Sequence, residues 1–273
     1  MKVGLYVDVS NISMSGGKNI RYSILRDFAC LGSYRPVHLN AYLPFDRERA
    51  ATDPAYHFGH AGFCRALRDY GYRVVTKDVK WYVDELGTKL GKANLDMEMG
   101  VDSLLESDRL DKVIFATGDG DFCRVIAALQ SKGLRVEVVG FDNVSKDLRQ
   151  QADAFTSGYM IPSIFQNEEQ SKWGELGTIV RGKIHYLEHE RGYGFFRFFR
   201  TLDGDLWNVD SRDQNSPYGG AFFHFSHLPE KYRDSKIVFE LASRDAVFEF
   251  VLTRNQSRTG DKVMATQIKL LCG

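Results

Sequence analysis

The chain has no stretch of about 18 uninterrupted apolar residues, the length a membrane-spanning helix needs. Its first apolar run, Val3 to Val9, already carries Asp8, so no signal peptide can be drawn either. It has no CxxC pair. Cys30, Cys64, Cys123 and Cys272 stand far apart, which excludes a zinc ribbon and a disulfide framework and fits buried free thiols in a reducing compartment. It has no excess of charge, 36 Lys and Arg balancing 36 Asp and Glu, so any contact with a phosphate backbone must come from local patches. It also lacks a GxGxxG after the first strand, which sets dinucleotide-binding enzymes aside. The first strand ends in Asp8-Val9-Ser10-Asn11 without the second Asp of a DxD nucleophile pair, which disfavours a phosphatase. No internal repeat and no long low-complexity run is found. A soluble, cytoplasmic protein without membrane contact is the expectation.

What is present is ordinary globular composition: 273 residues, 43% hydrophobic and 26% charged, enough for one large domain or two moderate ones. The first 160 residues alternate β-branched runs with amphipathic stretches. Strands are expected at Val3 to Val9, Pro36 to Leu43, Arg73 to Thr76, Lys112 to Thr117 and Leu134 to Gly140. Helices are expected at Ile20 to Leu31, Phe58 to Tyr70, Leu95 to Glu106, Phe122 to Lys132 and Ser145 to Ala152, with Gly71 and Gly133 as stops. This is α/β order, a parallel sheet with helices on both faces. Pro162 to Gly174 is polar and without period, which places a linker at 161–176. From Gly177 onward the chain reads as short aromatic-rich strands with Gly and Asp turns, so 177–273 is expected to form a small all-β barrel. This second part carries a net charge of +2 and the first −2.

In an open parallel sheet ligands sit beyond the carboxyl ends of the strands. Asp8 ends the first strand, with Asn11 just after it. Asp119 and Asp121 follow the strand ending at Thr117, in the turn Gly118-Asp119-Gly120-Asp121. Asp96 opens the preceding helix. Each has a plain alternative, since Asp119, Asp121 and Asp96 could cap helices and Asn11 could shape a loop. Brought together, four carboxylates repel one another unless a divalent cation lies between them, and oxygen-only ligands suit Mg²⁺ or Mn²⁺. Such sites hydrolyse phosphodiesters.

The run Leu5-Tyr6-Val7-Asp8-Val9-Ser10-Asn11, then Lys92-Ala93-Asn94-Leu95-Asp96 with Asp102 six residues on, then Thr117-Gly118-Asp119-Gly120-Asp121-Phe122 resembles the NYN domain, a branch of the PIN-like nucleases. Ser145 to Leu148 with Ala152-Asp153-Ala154-Phe155 is similar to the family's closing segment. Over residues 1–160 the resemblance implies a metal-dependent ribonuclease, with Asp8, Asp96, Asp119 and Asp121 as ligands and Asn11 and Thr117 as supporting polar groups. Asp102 ranks lower, because helical geometry puts it about 120° around the helix from Asp96. Lys92 is a candidate phosphate contact, with a solvated surface lysine as the alternative. Two departures stand out: an extra residue between Lys92 and Asp96, and a long segment, Arg47 to Gly62, that carries His57 and His60. His57, His60 and Cys64 share one side of a helix, but with no fourth ligand no zinc site is assigned.

In the second part, Arg191-Gly192-Tyr193-Gly194-Phe195-Phe196 and Ala221-Phe222-Phe223-His224-Phe225-Ser226 alternate aromatics with small or apolar residues. Alternate strand positions share a face, so Tyr193 goes with Phe195 and Phe222 with His224. Phe196 and Phe223 are assigned to the core. A row of exposed rings beside Lys and Arg stacks unpaired bases. These segments look like the ribonucleoprotein motifs of the cold-shock domain, an OB-fold barrel that binds single-stranded RNA or DNA. The resemblance covers about 177–273, places Tyr186 where a tryptophan is usual, and brings Phe225 into the contacting set. Arg197 to Gly220 is about twice the family's usual connection between the motifs.

The expectation is a metal-dependent ribonuclease acting on single-stranded RNA, endonucleolytic first, leaving a 5′-phosphate and a 3′-hydroxyl. Single-stranded DNA is a secondary ligand, self-association stays open, and the rival is a non-catalytic RNA-binding regulator.

Overall fold

The computed structural model describes residues 1–272 apart from 33, 84–87, 167–171, 205 and 258–259; at 89, 90, 92, 255–257 and 260–262 the backbone alone is described. The chain forms two compact units, Met1–Thr156 and Ser157–Gly273.

The first unit runs β1 (Lys2–Asp8), α1 (Val9–Met14), α2 (Tyr22–Ala29), β2 (Arg35–Phe45), α3 (Arg47–Thr52), α4 (Pro54–Asp69), β3 (Arg73–Asp78), β4 (Lys80–Val83), β5 (Lys89–Lys92), α5 (Asp96–Leu105), β6 (Lys112–Ala116), α6 (Cys123–Ser131), β7 (Arg135–Gly140), α7 (Lys146–Gln151) and β8 (Ala154–Ser157). Six strands form one sheet in the order β3-β2-β1-β6-β7-β8, and β4 and β5 form a separate hairpin. The pairings β1–β2, β2–β3, β1–β6 and β6–β7 are all parallel. Central strands covered on both faces must be apolar throughout rather than alternating. Val3 to Val7 and all of β6 are accordingly buried. Helices supply the covering stripes, with Ile126 and Leu129 of α6 and Met99 of α5 packed into the same core as Phe115 and Val138.

The five expected strands and five expected helices are present with shifted ends. α4 begins four residues early because Asp53 caps it and Pro54 fills its first position. α1, α3, β8 and the β4–β5 hairpin were not expected, being too short for a hydrophobic period to register. Among the described residues no helix is long and apolar enough to cross a membrane.

The second unit contains β9 (Ile179–Glu188), β10 (Tyr193–Phe199), β11 (Tyr218–His224), α8 (Ser235–Ser243), β12 (Val247–Ser257) and β13 (Gly260–Cys272). The strands close into a five-stranded barrel in the order β10-β11-β13-β12-β9. Its interior is a stack of phenylalanines: Phe196 lies 4.3 Å from Phe223 and 4.6 Å from Phe250, ring centre to ring centre. Within the segment expected as a linker, Ile161 and Ile164 are buried and Trp173 packs on the barrel core, its indole N–H donating to the Phe199 carbonyl at 2.8 Å. The described part of that segment is therefore packed chain.

Gly182 of β9 is where the barrel wall is tightest, since a Cβ there would stand 2.4 Å from the backbone oxygen of Arg197 on β10. Backbone cannot step aside as a side-chain tip can. Gly182→Ala is expected to destabilise the second unit by about 1–3 kcal/mol, seen as an earlier thermal transition; an unchanged melt would contradict this packing.

Candidate metal centre and nucleic-acid interface

The strand order reverses between β1 and β6: from β1 the chain moves outward to β2 and β3, and from β6 outward to β7 on the other side. At such a reversal the loops leaving neighbouring strands diverge and open a crevice at the carboxyl ends. Asp8 ends β1 and Asp119 lies three residues beyond β6. The two loops are tied together by Asn11, whose Oδ1 accepts the backbone N–H of Gly118 at 2.8 Å. Asn11 is in turn fixed by its own N–H, which donates to Asp8 Oδ1 at 2.9 Å as α1 begins.

The turn after β6 is built with equal economy. The fully buried Thr117 Oγ1 accepts the N–H of Asp119 at 3.2 Å, and Asp119 Oδ1 accepts the N–H of Asp121 at 2.9 Å. Gly120 passes so close to Ser145 that a Cβ would meet its hydroxyl at 2.8 Å, so a side chain there would displace the hydroxyl that caps α7. α5 delivers Asp96 from the other side. Asn94 Oδ1 accepts the Asp96 N–H at 2.9 Å, an Asx turn that sets the first residue of the helix. Ligand oxygens of Asp96, Asp119 and Asp121 consequently lie within 4.8 Å of one another. Asp8 stands outside that triangle but within reach of its charge.

The electrostatics follow from this crowding. Burial, and then the charges of Asp96 and Asp119, hold the Asp8 carboxyl above the ordinary aspartate value, against the opposing hydrogen bonds from Asn11 and Ser10. Asp96 is also raised, by burial first and then by Asp119 and Asp121. Oxygen-only donors that are costly to ionise together form a set that fits a hard divalent cation. Asn94 and Ser145 were not read from the sequence as site residues. An Asn two places before a helix start was the available signal for the first, and no local signal marks the second.

Asp102 faces elsewhere. Its Oδ2 accepts the Tyr42 hydroxyl at 2.9 Å, and Glu106 one turn on accepts Tyr6 at 3.0 Å and Asn40 at 2.9 Å. Arg73 reaches Glu106 at 3.0 Å and Asp102 at 3.7 Å. This network pins α5 to β1, β2 and β3 beneath the acidic cluster. His60 hydrogen-bonds the Pro44 carbonyl at 3.2 Å and lies 3.6 Å from the Cys64 sulfur, while His57 is exposed. Among the described residues Asp96, Asp119 and Asp121 are the only group of three that could hold a metal ion. The Lys92 side chain lies outside the described residues.

On the barrel, Tyr186, Phe195 and Phe222 sit opposite one another across three strands, β9, β10 and β11. A bulge at His185 lets Tyr186 face Phe195, and Tyr193 completes the patch, the ring centres lying 5.6–6.5 Å apart. All four are on the outer face, with Tyr186 45% exposed. Arg197 shares that face of β10 two residues beyond Phe195, its guanidinium 5.6 Å from the Tyr218 ring centre. His224 is exposed and caps the turn after β11, its Nδ1 accepting the Ser226 N–H at 3.2 Å. Phe225 is a correction to the expected contacting set: it is 7% exposed and packs with Phe223 inside the barrel, because the turn after β11 swings it inward.

The family model of the NYN domain matches residues 2–163. The low amplitude and bright protein LabA of Synechococcus elongatus is 33% identical over 112 residues, 40% of this chain; the match spans about 60% of that curated relative's length. A crystal structure of a protein of unknown function from Vibrio parahaemolyticus RIMD 2210633 superposes with a TM-score of 0.45 at 24% identity, covering 57% of this chain and 91% of that one.

Because the folded-state values of Asp8 and Asp96 are raised, their ionisation costs stability. That cost is absent below the ordinary value of 3.8 and grows as pH rises through the raised values. Asp96→Asn in EDTA at neutral pH is therefore expected to raise the melting temperature by about 1–3 °C, the gain shrinking as the pH falls towards 3.8. Adding Mn²⁺ should stabilise the wild type and leave the variant unmoved. A lower melting temperature for the variant in EDTA would show that Asp96 is held by something other than its acidic neighbours.

Proposed function

The chain belongs to the NYN domain family, and from that premise we propose that it is a metal-dependent ribonuclease that hydrolyses single-stranded RNA, with the barrel, read as a cold-shock-like OB-fold, presenting the strand. The convergence of Asp96, Asp119 and Asp121 at the topological reversal of the sheet carries this reading. Asp96, Asp119 and Asp121 would hold Mg²⁺ or Mn²⁺, with Asp8 beside them. When bound, the cation acidifies a water and neutralises charge that builds on the phosphate in the transition state.

The chain's own residues supply the rest. Asp8, whose carboxyl burial holds above the ordinary aspartate value, is suited to take the proton from the attacking water. The water oxygen bonds to phosphorus, the P–O3′ bond breaks, and the 3′ oxygen leaves with the bonding pair and takes a proton from solvent to become a hydroxyl, so the downstream fragment keeps a 5′-phosphate. Asn11 and Thr117 act through the backbone: they fix the loops that carry Asp8 and Asp119, so the carboxylates need little rearrangement when substrate arrives. Asp121 is exposed. On the barrel, Tyr186, Tyr193, Phe195 and Phe222 offer ring faces to unpaired bases, a mode that duplexes cannot use.

Labelled single-stranded RNA should be cut by the full-length protein in Mn²⁺ or Mg²⁺ and left whole in EDTA, and Asp119→Asn should slow cleavage by about 100-fold or more. RNA bound but uncut in either metal would replace this reading with that of a non-catalytic RNA-binding regulator. Tyr193→Ala and Phe195→Ala should each weaken RNA binding by about 5- to 150-fold, the equivalent of one lost stacking contact, with melting unchanged; unaltered affinity would remove the ring patch from the interface.

A further inference from the structure

The β4–β5 hairpin takes no part in the six-stranded sheet, and the chemistry of the acidic cluster leaves it without a role. Its place in the first unit follows from register. Asp8 pairs with Tyr42 of β2, and Tyr42 pairs with Val75 of β3, so β3 runs three residues past the level of Asp8 before it ends at Asp78. At about 3.3 Å a residue, that end lies about 10 Å beyond Asp8, two strands to one side and at the carboxyl end of the sheet. The hairpin starts there, and its return strand β5 ends at Lys92, four residues before Asp96. Lys77 fastens the base of the hairpin to α5: its Nζ donates to the Asn94 carbonyl at 2.9 Å and to Glu98 Oε1 at 2.5 Å.

The two faces of the hairpin differ. Strand alternation puts Trp81 and Val83 on one face and Lys80 and Tyr82 on the other. Trp81 braces the hairpin: its ring lies over Gly91, where a Cβ would stand 2.9 Å from it, and its indole N–H donates to Asp46 Oδ1 of the α3 cap at 3.4 Å. On the other face Tyr82 is 56% exposed and Lys80 is exposed, and among the described residues neither side chain has a hydrogen bond, an ion pair or a ring contact. Register sets Lys92 across from Lys80 and Leu90 across from Tyr82. The described positions of this face are therefore two lysines, a tyrosine and a leucine, with no acid among them. Unpaired bases stack on any ring face, and ammonium groups meet the phosphates between them. The position of the lysines matters because the acidic cluster repels phosphate and the chain has no net charge to offset that repulsion from a distance. Cations set beside the cluster supply the attraction locally.

We propose that the Lys80–Tyr82 face of the hairpin is a second single-strand contact, carried by the first unit itself. Tyr82 stacks an unpaired base of the substrate and Lys80 meets the adjoining backbone phosphate, a few nucleotides from the bond that is cut. The inference rests on the RNA reading above and adds a requirement to it. A base held in a duplex cannot offer its face to Tyr82, so the scissile bond must have an unpaired neighbour on the hairpin's side, whatever the barrel holds.

The test uses the full-length protein in EDTA, so that contact is read without cleavage. Decauridylate strands carrying a single 5-iodouridine, placed at each position in turn, are bound and irradiated, and the crosslinked peptides are mapped by mass spectrometry. A crosslink at Tyr82 is expected for some positions of the label. By fluorescence anisotropy, Tyr82→Ala should weaken binding of the unmodified strand about 5- to 150-fold, the equivalent of one lost stacking contact, and Tyr82→Trp should restore it. Lys80→Gln should make the slope of log affinity against log salt shallower by about 0.7, the share of one phosphate contact on a single strand. Both side chains are exposed, so melting should not move in any of the three variants. Crosslinks confined to the barrel, with Tyr82→Ala at wild-type affinity, overturn the inference and leave the nuclease reading standing. Unchanged RNA affinity with a shifted sedimentation coefficient for Tyr82→Ala also overturns it, and assigns the face to a second copy of the chain. A Tyr82 crosslink in a protein that cuts nothing in Mn²⁺ keeps the contact and loses the nuclease reading, and no binding or crosslink anywhere removes both.

Discussion

The mutual repulsion of carboxylates gathered at one end of the sheet is the constraint around which the first unit is organised. Parallel strands β1 and β6 lie side by side and their loops leave in opposite directions, so Asp8 and Asp119 arrive at the same crevice by topology alone. α5 adds Asp96, and the buried contacts of Tyr6, Tyr42 and Asn40 with Glu106 and Asp102 hold that helix in register. Asp8 and Asp96 cost stability when ionised without a partner, and Asn11, Thr117 and Asn94 accept backbone hydrogen bonds that hold the loops without neutralising the charge. What remains uncompensated is negative charge on oxygen ligands, the condition in which a hard divalent cation binds.

The second unit solves a different problem. A chain with no net charge has no long-range pull on a polyanion, so recognition must be local. A barrel has two surfaces to divide among its aromatics, and strand alternation makes the division: Phe196, Phe198 and Phe223 fill the interior while Tyr193, Phe195 and Phe222 stand outside. An outward row of rings serves little in packing the interior, which is why the proposed function assigns it to unpaired bases.

Much of this was legible in the sequence because it rests on short-range rules. Runs of β-branched residues buried on both sides gave the central strands, and an acidic residue at the end of each of two adjacent strands, with a Gly-Asp-Gly-Asp turn, gave the site. What escaped did so for physical reasons. β8 and the β4–β5 hairpin have four residues a strand, too few for a period. The segment at 161–176 reads as a linker because its polar middle masks the buried Ile161 and Ile164 and Trp173, which packs on barrel residues far away in sequence. Phe225 was misplaced because alternation stops where the strand stops, and the turn after His224 reverses which way the next side chain points. Asp102 was ranked low on helical geometry, and its partners Tyr42 and Arg73 account for the face it occupies.

The decisive measurement is anomalous diffraction at the manganese edge from crystals of the protein soaked in Mn²⁺. A peak within coordination distance of Asp96, Asp119 and Asp121, lost on back-soaking with EDTA, is the predicted result. Intact crystals in millimolar Mn²⁺ with no peak at that cluster would contradict the claim that the carboxylates are gathered to hold a cation.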